Sequence, residues 1–263
     1  MELAGHALNQ MREHLEPTAR THYIFEVAGT APNIVPDYAR MWLMVRDRDR
    51  KRVNATTEWV CQIAEGVAQA TQTRAAVNLY YGLHDLLPNG PLAERMQAHL
   101  EHVGVPAWTE EEQDFARACE RAMGLPERGL TTRVLPLLPE VEMGGSTDVG
   151  DVSWLTPTMQ VSFPMMPNIS AHTWVMTACA GTSIGRKAAL AAAHVVARMA
   201  CDLLTDAELR GAARADFVRR TEGFTYVSPL PAEQTHPYYL PEWLNNDGSV
   251  ETLAGMARTA TGS

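Results

Sequence analysis

Cysteine is scarce in this sequence, and its cysteines are not paired. The four cysteines, at positions 61, 119, 179 and 201, form no C-x-x-C pair. This spacing indicates neither a disulfide scaffold nor a structural zinc knuckle. It favours small, buried apolar side chains in a reducing compartment.

Long uninterrupted apolar runs are also missing. The N-terminal segment MELAGHALNQMREHLEP has no apolar core, and the run that begins at Ala188 is broken by His194 and Arg198. A signal peptide or a membrane span needs a longer clean run. We therefore expect a cytoplasmic protein without a membrane partner.

Basic residues are in deficit. Lys and Arg number 22 against 31 Asp and Glu, which gives a formal net charge of −9. An acidic chain disfavours a nucleic-acid partner, because a basic surface would have to exist against the overall sign of the charge. With 263 residues, 46% of them hydrophobic and 20% charged, the chain is typical of one large or two modest globular domains, and disorder is excluded.

The first 85 residues predict a small α+β sandwich. Residues 1–16 repeat apolar side chains every four positions, which predicts a helix. Thr21–Val27 and Tyr38–Val45 have the character of strands, and the loop between them is rich in turn formers. A further helix is predicted over 54–71 and a third strand over 75–83. This order of helices and strands is typical of an antiparallel sheet with helices packed on one face.

From residue 86 onward the sequence predicts mainly helices. Capping boxes, in which a Ser or Thr and a Glu three residues later satisfy the first free amides of a helix, mark two of the helix starts. The predicted elements are helices over 92–103, from Thr109 with Glu112, from Thr182 or Ser183, and from Thr205 with Glu208 to about Arg220; a strand over 158–163; and irregular segments at 124–142 and after Thr221.

Common catalytic motifs are absent from the sequence. No P-loop, G-x-G-x-x-G, H-E-x-x-H or G-x-S-x-G occurs. Three polar concentrations remain: Asn33 in APNIVPD, the loop GGSTDVGD at 144–151, and His172 in SAHTW. Each of them also has a purely structural explanation. Asn33 is explained as a turn residue between prolines, the loop as a glycine-rich turn with a capping Asp, and His172 as a surface or core histidine.

Taken together in chain order, four segments resemble one known family. They are APNIVPDYARMWLMVRD, LLPNGPLAERMQAHLEHVGVPAWTEEEQDFA, GGSTDVGDVSW and AHTWVMTACAGTSIGRKAALAAA. They resemble the C-terminal half of the aminobenzoyl-glutamate utilisation branch of the metal-dependent amidohydrolase and metallocarboxypeptidase family. The resemblance runs from about residue 3 to residue 245.

The resemblance implies an α/β, zinc-peptidase-like fold in two domains. In this family a small ferredoxin-like lid, itself α+β, makes the homodimer and interrupts a two-metal α/β catalytic sandwich. Residues 1–85 would be most of the lid, and residues 86–263 the C-terminal part of the catalytic domain. The family's earlier half, with most metal ligands, the general base and a lid histidine, would precede Met1. No catalytic residue is therefore expected in this chain.

The resemblance also implies one metal ligand and two substrate contacts. His172 aligns with the family's last metal-binding histidine, and a neutral imidazole suits zinc or manganese. Asn33 and Arg46, thirteen residues apart, align with a lid asparagine and an arginine that contact substrate. We expect both to lie on lid strands and to point towards a site in the dimer partner, where an arginine fork would hold a carboxylate.

The glycine-rich loop is expected to complete the substrate site. Backbone N–H groups of Gly145, Ser146 and Thr147 would cradle an anion there. Asp148 and Asp151 either orient that cradle or cap the local structure.

Three hypotheses follow for the function. The first is a metal-dependent amidohydrolase that cleaves an N-acyl amino acid or an aminobenzoyl-glutamate-like amide by a metal-activated water, with this chain as its C-terminal half and inactive alone. The second is a non-catalytic remnant that dimerises or binds ligand through the lid and the glycine-rich loop. The third is an unrelated α+β binding domain. The expected partners are a second copy through residues 1–85, a complementing N-terminal half or companion subunit, and a small amide substrate.

Overall fold

A two-stranded antiparallel hairpin organises the first part of the chain. The computed structural model describes residues 1–140 and 144–232, which form two compact units. The first unit contains residues 1–85, 146–148 and 227–232. Its elements are α1 (Glu2–Arg12), β1 (Arg20–Val27), β2 (Arg40–Arg46) and α2 (Arg50–Thr71). These two helices and two strands were predicted from the sequence and are confirmed, with shifted ends.

Local contacts explain how these elements pack. Asp49 caps α2, because its carboxylate accepts a hydrogen bond from the Arg52 backbone N–H at 2.9 Å. The hairpin pairs from Arg20 opposite Arg46 to Val27 opposite Arg40, with an irregularity after Phe25. Gly5 of α1 allows a close approach to the hairpin, since a Cβ there would lie 2.7 Å from the Tyr23 hydroxyl oxygen. Helix α1 therefore lies on the Tyr23 face of the hairpin.

The predicted third strand over 75–83 is wrong. The structure has neither helix nor strand in this segment, and Val77 and Tyr81 are exposed. A β-prone segment becomes a strand only when a neighbour completes its ladder of hydrogen bonds. Within residues 1–140 and 144–232, β1 and β2 form a sheet only with each other. The chain mixes helices with a small sheet, consistent with the α/β class, and the ferredoxin-like lid stays a prediction.

Helices make up the second unit, which contains residues 86–140, 144–145 and 149–226. Its elements are α3 (Gly90–Val103), α4 (Glu110–Ala122), α5 (Val149–Ser153), α6 (Trp174–Ala180), α7 (Ser183–Thr205) and α8 (Ala207–Arg220). The predicted capping box at Thr109 is confirmed: the Thr109 N–H donates to Glu112 Oε2 at 2.7 Å, and the Glu112 N–H donates to Thr109 Oγ1 at 3.3 Å. Of the two predicted caps of α7, Thr182 and Ser183, the structure has Thr182.

Two expectations in this unit are wrong. Asp206, not Thr205, caps α8, because the Asp206 carboxylate accepts from the Leu209 N–H at 2.9 Å. Thr205 instead ends α7, and its hydroxyl donates to the Cys201 carbonyl oxygen. The segment 158–163 forms no strand. Its alternation still identifies a buried side, because Met159, Val161 and Phe163 pack against the core.

The predicted irregular segments are confirmed as far as the structure describes them. Residues 124–140 and 221–232 contain no helix or strand. The rest of the tail, the end of the resemblance at residue 245, and residues 233–263 of the expected catalytic part lie outside the described residues.

Two hydrophobic clusters form the core of the second unit, and α7 contributes to both. The first joins α4, α6 and the start of α7, and consists of Ala116, Cys119, Leu130, Ile169, Val175, Cys179 and Ile184. The second joins α3, α7 and α8, and consists of Leu92, Met96, Val195, Met199, Leu209 and Ala213. Two of the cysteines are thus buried as expected, whereas Cys201 is exposed, which contradicts that expectation for this residue.

Helix α7 is long and apolar enough to cross a membrane by length and composition alone. The core helix of a soluble protein meets the same test, and α7 buries Ile184, Val195 and Met199 in the two clusters. One such helix is weak support for a membrane span. The absence of a membrane partner therefore stays a prediction.

Candidate functional site

His172 lies in the short segment that leads into α6. It is exposed and precedes Trp174, the first residue of that helix, by two positions. Within residues 1–140 and 144–232, no three side chains of His, Cys, Asp or Glu are grouped closely enough to hold a metal ion. A zinc site usually takes three or four protein ligands. The described residues therefore do not fit a complete zinc or manganese centre, and His172 can contribute only one ligand.

The glycine-rich loop is open to approach. A Cβ at Gly144 or Gly145 would meet no atom within 4 Å, so local packing does not require glycine at either position. Gly145 and Ser146 are exposed, and Thr147 is half-buried. Gly145 belongs to the second unit, whereas Ser146 and Thr147 belong to the first. An exposed backbone is compatible with an anion cradle, and the assignment of that role stays a prediction.

Asp151 has a structural partner. The Tyr226 hydroxyl donates to Asp151 Oδ1 at 3.0 Å. Burial of the phenol, together with this hydrogen bond, raises the pKa of Tyr226. Asp148 is exposed in a turn. Of the two roles left open for Asp151, the structural role is the one that an observed contact supports.

The two predicted substrate contacts lie towards opposite ends of the hairpin. Asn33 is exposed in a turn of the loop between β1 and β2, not on a strand as expected. Arg46 is on a strand, but it pairs with Arg20 at the end of the hairpin away from that loop. The seven residues of β2 span about 20 Å at about 3.3 Å per residue. Contact of both side chains with one small substrate therefore requires the loop to fold back along the hairpin.

A buried carboxylate in the second unit was only partly visible in the sequence. The Glu112 side chain is 7% exposed, and it accepts hydrogen bonds from Ser183 Oγ at 2.5 Å and Lys187 Nζ at 2.7 Å. Burial acts to raise its pKa, but hydrogen bonds from Lys187, Ser183 and the Thr109 backbone outweigh burial and lower the pKa to about 2. The capping-box spacing predicted the Thr109 contact. No local signal pointed to Ser183 and Lys187, which bind α7 to α4.

A second polar cluster binds α3 to the junction of α7 and α8. Arg95 donates to Asp202 Oδ2 at 2.6 Å and to Asp206 Oδ2 at 2.9 Å, and His99 Nε2 lies 2.8 Å from the same Asp202 oxygen. The hydrogen bond from Arg95 is the largest of the effects that lower the pKa of Asp202. Like the Glu112 cluster, this one fixes helices of the second unit to each other.

No family model matches the chain, but curated relatives match most of it. One relative is a subunit of the p-aminobenzoyl-glutamate hydrolase of Escherichia coli, which is 29% identical over 255 residues that cover 86% of this chain and 53% of that protein. The predicted resemblance is confirmed. The human Xaa-Arg dipeptidase is 25% identical over 231 residues, covering 87% of this chain and 47% of that protein. The mouse Xaa-Arg dipeptidase is 24% identical over 218 residues, covering 82% and 44%.

These relatives are hydrolases by name, and this chain resembles hydrolases over most of its length. The chain spans about half the length of the curated relatives that it matches. That share fits the C-terminal half that the sequence motifs indicate.

Proposed function

We propose that this chain is one half of an amide-bond hydrolase of the aminobenzoyl-glutamate and dipeptidase type. The similarity to relatives with those names, over 86%, 87% and 82% of the chain, carries the proposal. Both p-aminobenzoyl-glutamate and an Xaa-Arg dipeptide contain an amide bond beside a free α-carboxylate. The proposed substrates are therefore N-acylated amino acids with a free carboxylate.

We propose further that the chain is inactive alone. Hydrolysis by a metal-activated water requires several metal ligands and a general base. The described residues contain no group of three potential ligands. We assign the other ligands and the base to the half of the relatives that this chain does not span. His172 would add one imidazole ligand to zinc or manganese in the complete enzyme.

The first unit is proposed to form a homodimer. Ile24 lies opposite Trp42 in the hairpin, and Met44 lies opposite His22, so these side chains share the face away from α1. Ile24, Trp42 and Met44 are all exposed on that face. Neighbouring apolar side chains on an uncovered sheet face are suited to burial against a second copy, which supports the proposal.

A substrate clamp is proposed for the carboxylate of the substrate. Arg46 is proposed to hold the substrate carboxylate, with Asn33 and the backbone of Gly145, Ser146 and Thr147 as further contacts. The open backbone at Gly145 supports a role for the loop. Asn33 lies in the hairpin loop. It can contact the same substrate as Arg46 only when that loop folds back along the hairpin.

The experiment that tests the proposal is a complementation assay. This chain is produced alone and together with the half of the Escherichia coli relative that it does not match, and release of p-aminobenzoate from p-aminobenzoyl-glutamate is measured. We expect the chain alone to be no faster than its His172→Ala variant, and the pair to be active and to lose activity and metal with that variant. Metal-dependent turnover by the isolated chain would contradict the proposal. A pair that associates but binds no metal would instead indicate the non-catalytic remnant.

A further inference from the structure

Helix α7 is apolar on the side that faces away from the core. Its buried side chains recur at helical spacing and lie on one stripe: Ile184, Ala188, Ala191, Val195 and Met199. At 100° per residue, the opposite stripe begins with Arg186 in the first turn and continues with Ala189, Leu190, Ala193, Ala197, Ala200 and Leu204, all of them exposed. We call its six apolar residues, from Ala189 to Leu204, the outward face of α7. Leu190 is 60% exposed and Leu204 is 81% exposed.

The other long helices of the second unit do not share this property. The exposed side of α4 carries Glu111, Asp114 and Arg121, and that of α8 carries charged side chains such as Arg210 and Arg214. A helix that is polar on its outer side is stable in water, whereas a helix that is apolar on both sides is normally buried on both sides. The outward face of α7 therefore has the composition of a buried surface.

The segment 158–163 packs on the inner side of α7. Met159, Val161 and Phe163 pack against the cluster to which α7 contributes Val195 and Met199. This segment therefore leaves the outward face of α7 exposed.

We infer that the outward face of α7 is the docking surface for the half of the relatives' polypeptide that this chain does not span. The partner is identified by the comparisons, in which this chain covers 53%, 47% and 44% of its relatives, and this identification rests on the proposed function. Alanine at four of the six positions permits close approach of an apolar partner surface. The six positions are uncharged and Arg186 lies at one end of them, so the contact depends mainly on burial of apolar area.

A lipid surface fits α7 less well than a protein partner. Glu112 holds Ser183 and Lys187 at one end of the helix, and Arg95 holds Asp202 near the other. Insertion into a bilayer would break these contacts and would bring His194 and Arg198 into the apolar region, which is costly for ionisable side chains. Docking of a polypeptide leaves all of them in place.

Paired substitutions test the inference. Ala193→Glu places a carboxylate in the outward face, and Ala118→Glu places one on the exposed side of α4 as a matched control. Both positions are exposed, so both variants should unfold at the same temperature as the unsubstituted chain. Each is co-expressed with the tagged, unmatched half of the Escherichia coli relative. Because a buried unpaired charge is costly, Ala193→Glu should lower recovery of the complex about tenfold or more, and Ala118→Glu should leave recovery unchanged.

Cys201 provides an internal reporter beside the outward face. Its thiol is exposed, so a maleimide should label it in the chain alone and fail to label it in the complex. Cys61, in the first unit, serves as the reference thiol. Protection of Cys201 already in the isolated chain would show that a segment of the chain itself covers this face, and it would overturn the inference.

The remaining outcomes also decide the question. The inference is overturned if no complex forms with the unsubstituted chain, or if both variants recover equally. It is also overturned if Ala193→Glu abolishes a homodimer seen by light scattering or flotation with phosphatidylcholine vesicles, because the occupant is then a second copy or a membrane.

Hydrolysis measured on the same samples separates the docking surface from the proposed function. A complex that needs Ala193 but does not hydrolyse contradicts only the function, and full hydrolysis by Ala193→Glu contradicts only the docking surface.

Discussion

Replacement of Glu112 by glutamine should destabilise the second unit. The carboxylate uses both oxygens: Oε1 accepts from Ser183, and Oε2 accepts from Lys187 and from the Thr109 N–H. Glutamine has the same shape but only one acceptor oxygen and no charge. Glu112→Gln therefore removes the ion pair with Lys187. It also places an NH2 group opposite either the Ser183 hydroxyl or the Lys187 and Thr109 N–H groups, all of which are donors.

The size of the effect follows from the pKa of Glu112. Folding lowers that pKa from 4.5 to about 2. At about 1.4 kcal/mol per pKa unit, this fall corresponds to at most about 3.5 kcal/mol in favour of the charged, folded form. Because the folded pKa is the lower one, this stabilisation is present above pH 4.5 and is lost as the pH falls from 4.5 towards about 2. We expect Glu112→Gln to lower the free energy of unfolding by about 2–3 kcal/mol at pH 7.

Urea unfolding followed by circular dichroism measures this loss, with Glu111→Gln as the control. Glu111 is exposed in the same first turn of α4, so its replacement should change the free energy of unfolding by less than about 0.5 kcal/mol. The difference between the unsubstituted chain and Glu112→Gln should shrink as the pH is lowered through the stated window. Equal effects of the two substitutions, or a difference that does not change with pH, would refute the reasoning.

Three further predictions concern packing, the site and assembly. A Cβ at Gly185 would lie 2.5 Å from the backbone oxygen of Ala180, whereas one at Gly211 would meet nothing within 4 Å. In thermal unfolding, Gly185→Ala should therefore cost about 1–3 kcal/mol and Gly211→Ala should gain about 0.5–1 kcal/mol; the same sign for both would be inconsistent with this packing. In an active complex, Arg46→Ala should lower kcat/KM about tenfold or more without loss of metal, and His172→Ala should lower metal content first; an Arg46 variant within about twofold of normal would remove the clamp. Light scattering should give a homodimer, and a 29.0 kDa monomer at micromolar concentration would count against it.

Helix starts were predictable because their signals are local. Thr109 and Glu112 lie three residues apart, and this spacing alone predicted the capping box that the structure contains. The start of α7 was placed at Thr182 or Ser183 from their composition as caps, and Thr182 is the cap in the structure. Asp206 was missed in favour of Thr205, one residue earlier, because two adjacent residues both had the composition of a cap.

Strands were less predictable because a strand requires a partner elsewhere in the chain. The first hairpin was identified correctly, since its two strands are joined by one loop. The segments 75–83 and 158–163 have the alternation of strands but form none. Alternation reports which side of a segment is buried, as at Met159 and Val161, and it does not report whether a neighbouring strand exists.

The same distinction applies to the candidate site. The motifs identified His172 and the glycine-rich loop as polar segments, and His172 and the first residues of the loop, 144–146, are exposed in the structure. The partners of Glu112 lie 71 and 75 residues further along the chain, so no spacing rule could find them. The separation of Asn33 from Arg46 also depends on strand register, which a shared motif does not specify.

The central claim is that this chain is one half of an amide hydrolase, and mixing the two halves tests it most directly. Release of p-aminobenzoate from p-aminobenzoyl-glutamate is followed for this chain, for the unmatched half of the Escherichia coli relative, and for the purified complex of the two. The account predicts no release by either polypeptide alone and steady release by the complex. Release by this chain alone at the rate of the complex, or no release by a complex that has formed and holds metal, would contradict it.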